Sequence, residues 1–70
     1  MREFECNVEA FWDSEAEVWV ATSEDVPGLV TEAETTELLT SKLQVIIPEL
    51  LFANEIVPLD YPVTINLNWL

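Results

Sequence analysis

Histidine is absent from this chain, cysteine and glycine occur once each, and basic residues occur twice. Each shortage closes off a class of function. Without histidine, a Ser–His or Cys–His nucleophile pair cannot form. A zinc site of Cys and His ligands has too few donors. The lone cysteine, Cys6, excludes an internal disulfide, and the lone glycine, Gly28, excludes a glycine-rich phosphate loop. Arg2 and Lys42 alone cannot neutralise a phosphate backbone, so no direct nucleic-acid binding is expected. No apolar run reaches the ~20 residues of a membrane span, so no membrane contact is expected either. The opening "MREFECNVEA" alternates polar and apolar residues and has no apolar core of a signal peptide. With a free thiol, this reads as a cytoplasmic protein.

Acid and apolar residues are what the chain has in quantity. Fourteen acids against two bases give a net charge of −12, while 50% of the residues are hydrophobic. That is too apolar for a disordered chain. The acids keep a half-apolar protein soluble, or they steer a basic partner toward it. Seventy residues make a single domain, 1–70. A chain this short buries only roughly 60% of its unfolded surface. With no disulfide or metal to help, self-association is the remaining route to stability, and a homodimer or higher homo-oligomer is expected.

Periodicity divides the chain into five elements. Residues 3–12 alternate, with Phe4, Cys6, Val8, Ala10 and Trp12 on one face, which predicts a half-buried strand. "DSEAE" (13–17) is a polar loop, and a second alternating strand runs over about 18–23. Pairing Trp12 with Val18 gathers the apolar residues of both strands on one face. The same register sets Phe11 and Trp19 opposite each other on the outer face, beside Glu9. They either shelter each other or form a patch that meets another chain. In "EDVPGL", Pro27 presets φ for the second position of a tight turn and Gly28 supplies the positive φ of a type II turn. A short third strand covers 29–33.

Thr35 is the expected helix N-cap, with Glu37 in the first turn. The helix spans about 36–53, kinked or split near Pro48. Leu39, Leu43, Ile46, Ile47 and Leu50 form the stripe that should cover the sheet. Leu38, Val45 and Phe52 recur every seven residues as a second stripe, either part of a broad buried face or a seam for a dimer or partner. A last strand, 61–69, faces Tyr61, Val63, Ile65, Leu67 and Trp69 inward. The expected class is α+β, in the order β-β-β-α-β: an antiparallel-rich four-stranded sheet with one helix packed on one face. One helix covers one face only.

Little in this pattern suggests chemistry. Cys6 points inward, and a buried thiol is inert. Glu24 and Asp25 sit together at the turn, and paired carboxylates can hold Mg²⁺ or share a proton. A small metal-ion-binding protein or enzyme built on Glu24 and Asp25 is therefore the alternative to an interaction module. A stand-alone regulatory subunit is a third. The primary reading assigns no catalytic residue, cofactor or metal ligand.

The stretch from Phe11 to Leu51, "FWDSEAEVWVATSEDVPGLVTEAETTELLTSKLQVIIPELL", resembles the N-terminal domain of HicB-type antitoxins. It is closer still to short uncharacterised bacterial proteins related to them. "VWVA", "DVPGLVTEA", the threonine at the helix start and "IPELL" carry the likeness. The resemblance implies a truncated ribonuclease-H-type fold without catalytic residues. It also implies a role in occluding a small basic ribonuclease of the HicA type. HicB antitoxins bind DNA through a separate C-terminal segment; this sequence ends at Leu70, after its last expected strand, so no such segment is expected.

Overall fold

A computed structural model describes residues 2–70. Five elements follow one another: β1 (Phe4–Asp13), β2 (Val18–Thr22), β3 (Val30–Ala33), α1 (Thr36–Ala53) and β4 (Val63–Trp69). The strands form one sheet in the order β3-β2-β1-β4. β1 pairs antiparallel with β2, β2 antiparallel with β3, and β4 lies parallel to β1. A parallel neighbour requires a crossover, and α1 supplies it. The class and element order are those the periodicity predicts.

Both ends of α1 are closed by local chemistry. Thr35 is extended (φ −128°, ψ 158°), and its Oγ1 accepts from the Leu38 amide at 3.1 Å, the N-cap geometry. At the other end Asn54 Nδ2 donates to the Leu50 carbonyl at 2.8 Å. Glu55 enters the left-handed region at φ 58°, and its amide donates to Phe52 O while that of Ile56 donates to Leu51 O. This is a Schellman ending with glutamate where glycine is usual. Pro48 removes one internal hydrogen bond, yet the helix continues through it as a single element.

Leu39, Leu43, Ile47 and Leu51, four residues apart, are buried and turn one face of α1 to the sheet. Beneath them lie Cys6, Val8, Ala10, Ala21 and Ala33, all buried. The small residues let the helix approach closely. Val26 and Leu29 complete this core from the turn, joined by the Leu29 N to Val26 O bond of 3.1 Å. Gly28 between them has φ +81°, so the predicted type II turn is present.

The hairpin register differs from expectation by one residue. Trp12 pairs with Trp19, and Phe11 with Val20, closing at Asp13–Val18. The loop therefore has four residues, not five. Asp13 fixes it: its Oδ1 accepts from the Glu15 and Ala16 amides, and its carbonyl accepts from Glu17 N at 2.8 Å. Glu17 takes φ 56° to complete the reversal. A one-residue change moves every β2 side chain to the other face. Trp19 and Ala21 thus point toward the helix, and Val18 and Val20 point away. Trp19 is not part of an outer aromatic pair. An indole ring buries far more area than a valine, and that decides which set goes inward.

Candidate interaction surfaces

The helix covers one side of the sheet, and among the described residues nothing covers the other side. On that outer face β1 presents Glu5, Asn7, Glu9 and Phe11, and β2 presents Val18, Val20 and Thr22. β3 adds Val30 and Glu32, and β4 adds Thr64, Asn66 and Asn68. Registers place these side chains in rows. Phe11, Val20 and Glu32 form one row; Asn68, Glu9, Thr22 and Val30 form the next. Phe11 is 40% exposed and Val30 75%. The result is an apolar centre on the β1–β3 side, bordered by carboxylates.

An acidic cleft continues this face, lined by Asn7, Glu9, Glu24, Asp25 and Asn68. The turn after β2 builds it. Ser23 Oγ donates to the Asn7 carbonyl and accepts from the Asp25 amide, while Asp25 Oδ2 accepts from Asn7 N at 2.8 Å. Two side chains thereby take over the backbone bonds of β1 where β2 has ended. Asp25 has a structural duty, which leaves it less available as a ligand. Among the described residues no group of three or more His, Cys, Asp or Glu side chains is placed to hold a metal ion. Cys6 lies on the opposite face, fully buried, with Sγ 3.8 Å from the Thr64 carbonyl. Burial first, and the Asp25 charge second, push its thiol above the ordinary cysteine value. It stays protonated and inert at neutral pH.

The second expected stripe is real and exposed. Leu38, Val45 and Phe52 are each more than half exposed on the side of α1 away from the sheet. Next to Phe52, a shallow cleft is lined by Glu55, Ile56, Val57 and Pro58.

Sequence reasoning missed the tryptophan cluster. Trp12 and Trp19 meet edge to face with ring centroids 5.5 Å apart, and Trp19 and Trp69 meet likewise at 5.3 Å. All three stand on the helix side, at the sheet end where β4 finishes. The signal was present: Trp12 and Trp69 both face inward by alternation, and only the register misplaced Trp19.

Residues 5–69 match a family described as "Domain of unknown function (DUF1902)". Among solved structures, the chain is similar to hypothetical protein TTHA1013 from the extremely thermophilic bacterium Thermus thermophilus. The two are 52% identical with a TM-score of 0.84, over 94% of this chain and 92% of that one. No curated protein matches. Among the described residues no helix is long and apolar enough to cross a membrane.

Proposed function

The chain belongs to the DUF1902 family, and from that premise we propose that it is a non-enzymatic, HicB-like interaction module that occludes a small basic protein. One observation carries the reading: a four-stranded sheet covered on one side only, whose bare side joins an apolar centre to a rim of acids. Phe11 is the anchor, with Val18, Val20 and Val30 beside it. Glu5, Glu9, Glu24 and Glu32 steer the partner and pair with its cations at the edge of the contact. A basic ribonuclease toxin of the HicA type has the required charge, and covering its catalytic surface is sufficient for inhibition. Such a role belongs in the cytoplasm, where the free Cys6 thiol stays reduced.

The test is co-expression with the product of any short basic reading frame beside this gene. A complex that survives purification, weakens as salt rises and is lost on Phe11→Glu supports the reading. A neighbour that fails to bind, or that binds Phe11→Glu equally well, argues against it.

A further inference from the structure

The two edges of the sheet differ, and the difference points to a second interface. β3 is four residues long, carries Glu32, and has Lys42 of the helix donating to the Glu32 carbonyl at 2.6 Å. Short length, charge and a lysine are the usual protections of an edge. β4 has none of them. It is seven residues long, and Tyr61–Leu70 is the longest stretch of the chain without Asp, Glu, Lys or Arg.

The free backbone groups of β4 can be assigned. Leu70 N donates to Ala10 O, and Pro62 O accepts from Phe4 N, so even-numbered residues aim their backbone at β1. By alternation, the N–H and C=O groups of Val63, Ile65, Leu67 and Trp69 point outward, with no strand among the described residues to receive them. The side chains of these four residues face the helix side of the sheet. Yet α1 approaches the sheet most closely over β3 and β2, on the side far from β4. Val63, Ile65 and Leu67 are therefore only half-buried, and Trp69 is 45% exposed. A groove lined by Thr36, Glu37, Thr40, Ser41, Gln44 and Trp69 separates the helix from the strand end.

We infer that β4 pairs antiparallel with β4 of a second copy of this chain, about a two-fold axis at Asn66, to give one eight-stranded sheet. Charge selects this occupant. Two copies at −12 each repel, so they can meet closely only where neither carries an acid. Tyr61–Leu70 itself carries no acid; the nearest carboxylates are Glu3, which accepts from the Thr64 hydroxyl on the outer face, and Glu37, in the groove beside Trp69. The outer sheet face bears a row of acids and suits a basic partner instead. An axis at Asn66 sets Val63 against Trp69 and Ile65 against Leu67 of the other copy. It keeps all four on the helix side and satisfies every outward N–H and C=O between them. Both helices then lie on the same face and flank a shared apolar floor. The outer face of the pair receives Thr64, Asn66 and Asn68, which are uncharged, with the Glu3 carboxylate accepting from the Thr64 hydroxyl at each end of the seam. The contact is isologous and closes at two.

Sedimentation of the pure protein tests this. A dimer is expected, and it tightens as salt rises from low ionic strength to about 0.5 M, because screening removes repulsion. Leu67→Lys, which sets a cation on each side of the seam, and Leu67→Pro, which removes one outward N–H, should each give a monomer with unchanged far-ultraviolet circular dichroism. Should either variant fail to fold, amide exchange on the wild type decides. Ile65 and Leu67 amides that become protected with increasing protein concentration support the pairing. A wild-type monomer at high concentration and high salt would overturn it, as would a dimer in which those amides exchange freely, or one that survives Leu67→Lys and dissociates on Phe11→Glu. None of these outcomes depends on a basic partner.

Discussion

At the residue scale, three positions in the left-handed region divide unevenly between residue types. Gly28 is the only glycine, although Glu17 and Glu55 share its sign of φ. A Cβ at Gly28 would meet nothing within 4 Å, so Gly28→Ala costs backbone strain alone, about 1 kcal/mol. At Glu55 the opposite change relieves strain. Glu55→Gly should stabilise the fold by up to about 1 kcal/mol in chemical denaturation, and Glu55→Gln, which changes charge alone, should give clearly less. Cys6 links stability to pH. Its folded-state pKa lies above the unfolded value, so its contribution is intact below the unfolded thiol's ~8.5 and is lost as pH rises through the folded pKa. Thiol reagents should modify Cys6 only as fast as the protein opens. Rapid labelling of native protein at neutral pH would mean the thiol is not enclosed.

At the element scale, the helix was the most legible part of the sequence. Its bounds and N-cap follow from local rules that act within one turn, and the stripe came through in part: Leu39, Leu43 and Ile47 are buried as expected, but Leu51 completes the face while Ile46 and Leu50 are only partly buried at its margin. The sheet was less legible because register depends on how many residues the hairpin loop holds. Asp13 belongs to β1 and caps the loop at once, and no periodicity distinguishes a four-residue reversal from a five-residue one. That one residue decided whether Trp19 lay inside or outside. The parallel placement of β4 beside β1 is equally invisible in local pattern, and with it the identity of the unprotected edge. Two substitutions test the observed register. Trp19→Ala should cost about 2 kcal/mol or more, since it empties the middle of the tryptophan cluster. Phe11→Ser should cost about 1 kcal/mol or less, clearly below Trp19→Ala, since its ring stays 40% exposed on the uncovered face. Comparable losses at both would restore the expected register. Thr35→Ala should cost ~1 kcal/mol through loss of the cap.

At the scale of the whole molecule, the chain is a single layer of strands under one helix, with acids spread over most of its surface. The charge opposes compaction, so the melting temperature should rise with ionic strength before salt-specific effects enter. A melting temperature that falls with salt would show attractive ion pairs outweighing repulsion. The acidic surface was plain in the composition. That its apolar centre and rim share the face opposite the helix was not, because the face assignment rests on the register. The proposed role stands or falls with a basic protein covering this bare face. Calorimetric titration of the neighbouring basic gene product into the wild type and into Phe11→Glu, each at low and raised salt, addresses it most directly. Tight binding to the wild type, weakened by salt and abolished by the substitution, is the expected result; equal binding by the two chains, or none by either, would contradict it.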